Sequence, residues 1–232
     1  MLLNVAFLLL GGAALYFRAD WRWVQARPPA ISHGWTPEEG LLPWDWIGYN
    51  EAAIVIVLAL GSPTHPVEPE AWARFTSGYR WGSFQGQEYL GFAPLFGHQY
   101  SHVWIDFRGL ADPWMREKGI DYFENTRRAT LAQRAYAIEN PGGWKGYGAG
   151  LWGLSACDGP VDREIELAGR KRTFRTYSAR GACFTRIEDD GTIAPTAAGG
   201  SLPFAPAECA AALVAMRETY GEHAFGRYGF ID

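Results

Sequence analysis

Apolar positions gather into helix-length runs separated by glycine- and proline-rich breaks. Residues 3–19 are apolar and read as a helix running into Arg18-Ala19-Asp20-Trp21. Pro28-Pro29, His33-Gly34 and Pro37 mark 25–43 as loop. Asn50 predicts an N-cap for a helix over 51–60, which stops at Gly61-Ser62-Pro63. A short helix is expected over 69–75, with Pro69 in its first turn. Residues 78–91, rich in glycine and aromatics, read as extended or looped, and 98–107 as helix. The longest helical pattern spans 119–139. There Ile120, Phe123, Ala129, Leu131, Ala132, Tyr136 and Ile138 sit among polar residues, and Asn140-Pro141-Gly142-Gly143 ends the run.

The texture then changes. Residues 142–160 are glycine- and tryptophan-rich loop. Alternation over 173–187 predicts a β-hairpin turning near Ala179-Arg180-Gly181. Small residues make 192–201 a loop. The span 206–220 reads as a helix with Ala211, Leu213, Val214 and Met216 inward. The predicted class is mainly α, with irregular loops and one small β element.

Composition sharpens this picture in two places. The chain of 232 residues carries 11 Trp, 11 Tyr and 13 Phe, a high aromatic load. Flat rings supply apolar area with an N–H or O–H handle. They suit either a tryptophan-rich core or platforms for sugar rings. The net charge of −4 argues against a nucleic-acid partner. The basic triplet Arg170-Lys171-Arg172 reads as a hairpin edge. The three cysteines, Cys157, Cys183 and Cys209, fit no zinc or redox spacing, and an odd number leaves at least one outside any internal disulfide. The run at 3–19 lacks a basic flank and a cleavage site, and it is short for a membrane span. It gives no firm membrane signal.

Two stretches concentrate polar chemistry. Gly48-Tyr49-Asn50-Glu51 sets a carboxylate at the mouth of an apolar helix, where free N–H groups and the positive dipole end gather. Gly97-His98-Gln99-Tyr100-Ser101-His102-Val103-Trp104-Ile105-Asp106 packs hydrogen-bonding side chains beside aromatics. Together they point to a polar, multi-hydroxyl ligand. On a continuous helix His98, His102 and Asp106 would share one face at i, i+4 and i+8, a spacing that also suits a metal. Gln99 stands where a zincin would carry its glutamate, so a hydrogen-bonding face is the favoured reading. Glu124 and Arg128 are spaced for a helix ion pair, and Asp158 before Gly159-Pro160 is turn chemistry. Gln99, Asn125, Arg127 and Trp144 suit sugar hydroxyls and ring faces, and equally suit structural roles.

Six blocks in order carry a resemblance. They are Gly48-Tyr49-Asn50-Glu51-Ala52 with Leu58-Ala59-Leu60-Gly61-Ser62-Pro63-Thr64-His65; His98-Gln99-Tyr100-Ser101-His102 with Trp104-Ile105-Asp106; and Asp121-Tyr122-Phe123-Glu124-Asn125 with Arg127-Arg128-Ala129-Thr130. Asn140-Pro141-Gly142-Gly143-Trp144, Trp152-Gly153-Leu154 through Asp158-Gly159-Pro160, and residues 190–201 complete them. From about Asp20 to Asp232 the sequence resembles the glucoamylase-like domain family. That family includes bacterial endo-β-1,2-glucanases and a domain of cyclic β-1,2-glucan synthases.

The resemblance implies an (α/α)6 toroid with a central cleft, and a glycoside hydrolase that cuts β-1,2-linked glucan with inversion. It implies Glu51 as general acid, a role that an apolar surround favours. It implies a cleft lined by Tyr49, His98, Gln99, His102, Asp106, Glu124, Asn125, Arg128, Trp144 and Asp158. No cofactor and no metal are implied, the partner is an oligo- or polysaccharide, and a periplasmic or secreted location is favoured. Family members carry further helices ahead of Asp20-Trp21-Arg22-Trp23. They also continue past Tyr228-Gly229-Phe230 through a segment with another Asp, a candidate base; within the chain Asp106, Glu124 and Asp158 are the candidates, each with an equally good structural role. Residues 1–232 are therefore expected to be one partial catalytic domain. Two alternatives stand beside the hydrolase: a carbohydrate-binding remnant without catalysis, and a metal-dependent hydrolase centred on His98 and His102.

Overall fold

A computed structural model describes residues 20–167 and 169–231. The expected helix over 3–19 lies outside the described residues. The chain divides into two compact units, the first ending at Tyr79 and the second beginning at Arg80.

In the first unit, Asp20 accepts a hydrogen bond from the Arg22 backbone and opens a 3-10 turn, Trp21–Val24. A small antiparallel ladder follows, β1 (Trp35–Thr36) against β2 (Gly40–Leu41). The apolar run then forms α1 (Ala53–Leu60), and α2 (Glu70–Thr76) follows it. Ala53, Ile56 and Ala59 of α1 share a core with Ala71 and Phe75 of α2. The backbone comes close at one point, where Gly48 N–H donates to the Phe75 carbonyl at 2.7 Å. A Cβ at Gly78 would sit 2.8 Å from the Gly48 nitrogen, so Gly78 has no room for a side chain.

The second unit opens with a hairpin, β3 (Trp81–Phe84) and β4 (Gln87–Leu90), in the stretch expected to be extended. Its two-residue turn, Gln85-Gly86, has positive φ at both positions, which matches the twist of a tight hairpin. Next come α3 (Phe96–Gln99), a 3-10 turn (Tyr100–Val103), and α4 (Pro113–Glu117), capped by Asp112. The long helix α5 (Tyr122–Glu139) ends on a left-handed Asn140, as the sequence pattern predicts, and starts on the cap Asp121, three residues later than the expected 119.

After α5 the short strands β5 (Ala156–Asp158), β6 (Arg163–Leu167), β7 (Arg170–Phe174), β8 (Tyr177–Ala179), β9 (Gly181–Cys183) and β10 (Arg186–Glu188) form two-stranded ladders. The single hairpin expected over 173–187 is corrected. That stretch feeds three ladders: β6 with β7, β5 with β8, and β9 with β10. The reason is Arg180, which is fully buried where a turn was expected. Its guanidinium binds Asp190, the Cys157 carbonyl and the Arg175 carbonyl, so the chain passes through the interior there.

Two further corrections follow in the C-terminal part. The small residues expected as loop include α6 (Pro195–Gly200), opened by a proline in its first turn. The last helix, α7 (Pro206–Ala224), runs longer than expected and buries Cys209, Ala212 and Met216. Ala211 and Val214, expected inward, are exposed, because the 3.6-residue period turns them off the stripe of 209, 212 and 216. A final ladder pairs β11 (Phe225–Gly226) with β12 (Gly229–Phe230). Among the described residues the architecture is seven α-helices with six two-stranded ladders of short strands. No helix among the described residues is long and apolar enough to cross a membrane.

The core of the second unit has a polar spine on α5. Asn125, Thr126, Thr130 and Gln133 are all buried on it. The surrounding loops have few ladder partners for their backbone groups, and buried N–H and C=O groups must pair. Gln133 serves two loops, donating to the Ala93 carbonyl at 2.7 Å and accepting from Leu154 N–H at 2.8 Å.

Candidate active site

In the first unit the chain enters the Glu51 region through Gly48, whose φ of 89° suits glycine. Tyr49 is buried, edge-on to Tyr79. Asn50 does not cap the helix as expected. Its Oδ1 accepts from Ala52 N–H at 2.9 Å and its Nδ2 donates to the Gly48 carbonyl at 3.0 Å. This side-chain turn delays α1 to Ala53 and leaves Glu51 in the turn ahead of the helix. Glu51 is half-buried, and its Oε2 is shielded from solvent.

In the second unit the expected helix over 98–107 is not continuous. It breaks into α3 and the 3-10 turn, and Asp106 lies beyond both. The face that would have aligned His98, His102 and Asp106 at i, i+4 and i+8 therefore does not form. Tertiary bonds to α5 win over the local helix. Thr126 Oγ1 donates to the His98 carbonyl at 3.1 Å, and His102 Nε2 lies 3.1 Å from the same hydroxyl. His98 Nε2 faces the Phe92 carbonyl at 3.0 Å. Burial pushes the His98 imidazole down to about 3 and that of His102 to about 4. Asp106 is exposed, and hydrogen bonds from Arg108 hold its carboxyl down at about 2. Among the described residues, no group of three His, Cys, Asp or Glu is placed to hold a metal ion.

His102 and Asp106 do come together. They line a cavity of about 440 Å3 with Trp104, Arg108, Phe123 and Phe204. Other expected cleft residues are bound to the protein itself. Gln99 donates to the Ala197 carbonyl at 2.8 Å and to Ser201 Oγ at 2.7 Å. Arg128 donates to Glu124 at 2.9 Å, the i, i+4 pair read from spacing, and to the Glu88 carbonyl at 3.0 Å. Asn125 is wholly buried against β4. Asp158 is exposed at the end of β5.

Trp144 belongs to a polar centre that no sequence motif announced. Its Nε1 donates to Asp189 at 2.9 Å. Tyr136, Tyr147 and the Gly191 backbone donate to the same carboxylate, at 3.0, 2.7 and 2.9 Å. Burial first, and then this carboxylate, push both tyrosines above their ordinary range. The next residue, Asp190, pairs with buried Arg180 at 2.6 Å. In sequence, Asp189-Asp190-Gly191 looks like a surface turn, and its partners lie more than forty positions away for Asp189's side-chain donors.

Comparison with known proteins bears on these sites. Residues 43–232 match the glycoamylase family, described as "Putative glucoamylase". A curated relative from Parabacteroides distasonis, an exo beta-1,2-glucooligosaccharide sophorohydrolase (non-reducing end), is 29% identical over 246 aligned positions. The alignment covers 94% of this chain and 31% of the relative. Among solved structures, an endo-beta-1,2-glucanase from Chitinophaga pinensis, in complex with sophorotriose and glucose, superposes with a TM-score of 0.80 at 29% identity. That match covers 95% of this chain and 51% of the other. A "putative glucoamylase" from Bacteroides fragilis NCTC 9343 superposes with a TM-score of 0.78 at 32% identity, covering 95% and 50% of the two chains. The chain thus spans about half the length of these structures and about a third of the curated relative. With more than three-quarters of its length matched, the chain belongs to the glycoamylase family.

Proposed function

We propose that residues 1–232 are part of one catalytic domain of a glycoside hydrolase that cleaves β-1,2-linked glucan with inversion. The observation that carries this is the family match over 43–232, which takes in the Gly48–Glu51 turn. Relatives named for β-1,2-glucan support the linkage. Glu51 is the general acid in this reading: it protonates the leaving oxygen while a second carboxylate activates water on the opposite face of the sugar. Its half-buried position at the mouth of α1 supports that role.

Asp106 and Glu124 are held by Arg108 and Arg128, which leaves Asp158 or a carboxylate outside residues 1–232 as the base; we assign it to the latter. Tyr49 is assigned to sugar binding beside Glu51 in the first unit, and His102, Asp106, Trp144 and Asp158 to sugar binding in the second; the fold in this reading is part of an (α/α)6 toroid. His98, Gln99, Glu124, Asn125 and Arg128 support the second unit's residues through the bonds described above.

The test is calorimetric binding of β-1,2- and β-1,3-glucooligosaccharides, with product anomers followed by proton NMR. Selective binding of the β-1,2 series with release of the α-anomer is expected of the active enzyme. Selective binding without turnover points to a carbohydrate-binding remnant. Release of the β-anomer rules out inversion, and equal affinity for both series rules out the linkage.

A further inference from the structure

A second cavity of about 440 Å3 opens beside the β6–β7 hairpin, lined by Trp144, Lys171, Arg172, Arg175, Glu188 and Asp189 among others. Its carboxylates are already engaged. Asp189 takes hydrogen bonds from Tyr136, Trp144, Tyr147 and the Gly191 backbone. Asp190 is closed by Arg180, and Glu188 is bound by Arg186 and Ser178.

The cations are not matched in the same way. Lys171 reaches Glu164 at 2.7 Å across the hairpin. Arg172 lies over the Trp144 ring, 4.0 Å from its centroid, and donates to the Gly142 carbonyl. Its Nε is shielded from solvent, with no hydrogen-bond partner among the described residues. Arg175 forms no ion pair among the described residues; secondary to hydrogen bonds from Thr176 and Lys171, its charge helps to hold the Asp162 and Glu164 carboxyls down, and its backbone N–H is fixed by Asp190 at 3.2 Å.

A neutral glucan gives no reason to gather at one cavity two guanidinium groups that form no ion pair among the described residues. An anion does. Guanidinium groups bind phosphate and carboxylate through paired, charge-assisted hydrogen bonds. Contact with Trp144 holds one of the two in place before any ligand arrives, which reduces the ordering cost of binding. We propose that this cavity binds a phosphate group, free or carried on a sugar, through Arg172 and Arg175. The site stands on the two guanidinium groups of Arg172 and Arg175, shares Trp144 with the proposed sugar-binding set, and does not rest on Glu51 or on glucan hydrolysis.

The test titrates the 232-residue chain with inorganic phosphate, glucose 6-phosphate and glucose, by calorimetry and 31P NMR. Saturable phosphate binding is expected, weakening at least tenfold in Arg175→Gln and falling as potassium chloride is added. Arg175 is exposed, so this variant keeps the fold. Arg172→Gln should act alike, and circular dichroism reports whether its hairpin holds. Tighter binding of glucose 6-phosphate than of phosphate identifies a sugar phosphate as the ligand class; equal binding identifies the free anion. Glu51→Gln should leave all these affinities unchanged, so loss of glucan hydrolysis and loss of this site are read separately. Absence of saturable phosphate binding overturns the proposal. So does phosphate affinity that both arginine variants leave intact.

Discussion

Asn125 grips both backbone groups of Leu90: its Oδ1 accepts the Leu90 N–H at 2.7 Å and its Nδ2 donates to the Leu90 carbonyl at 3.4 Å. A helix side chain thus completes the open edge of β4. Asn125→Ala strands two buried backbone groups, and each stranded group costs about 1–3 kcal/mol. The variant should lose at least about 2 kcal/mol in a urea melt. A loss under about 0.5 kcal/mol would mean water takes over the Leu90 groups.

The Arg180–Asp190 pair is the second test of the core. Burial raises the Asp190 carboxyl, and hydrogen bonds from Arg180 and Thr192 more than reverse that, leaving it below its ordinary value. A lowered carboxylate contributes stability above its unfolded pKa and loses it as pH falls through the folded one. Breaking such a pair from one side costs about 3–5 kcal/mol. Asp190→Asn should therefore unfold far more easily at pH 7, and the gap to the parent should narrow in strong acid. A constant gap across pH would remove the ion pair as its cause.

The two histidines predict a separate pH dependence. Burial holds His98 near 3 and His102 near 4, against an ordinary 6.5. Between these values the unfolded chain binds more protons than the folded one. Stability is complete above about 6.5 and declines as pH falls toward 4. The melting temperature should drop over that window, and His102→Gln should flatten the slope. An unchanged slope in the variant would show that His102 titrates normally in the folded protein.

Gly181 tests a close approach. A Cβ there would collide with the backbone of Ala93 and Pro94. Backbone cannot swing aside as a side chain does, so Gly181→Ala should cost about 2 kcal/mol or more. Wild-type stability in the variant would require the β9 segment to lie farther from Ala93.

For catalysis, Glu51→Gln in the hydrolytically active protein should lower kcat by roughly 10²–10⁴-fold, the usual contribution of a general acid. The melting temperature should hold, since the exchange keeps the shape of the side chain. Retained turnover would strike Glu51 from the mechanism.

Local signals were enough for some of this protein. Asp121 and Asn140 bracket α5 within the pattern that named it, because caps and periodicity act through neighbours three or four positions apart. The apolar run of α1 and the glycine break after it are legible for the same reason. The Glu124–Arg128 pair needed only helix spacing. The ordered blocks around Glu51, His98 and Trp144 carried the family.

Tertiary structure decided the rest. Residues 98–106 favour a helix locally, yet Thr126, from another element, takes the His98 carbonyl and meets the His102 ring. Arg180 sits in what reads as an exposed turn, and Asp190 with the Cys157 and Arg175 carbonyls makes its burial tolerable. Asp189 becomes the acceptor for Tyr136, Trp144 and Tyr147 because α5, the loop after it and the β9–β10 hairpin converge. Pairings at such separation depend on which backbone groups the fold leaves without partners, and that is set only when distant elements pack.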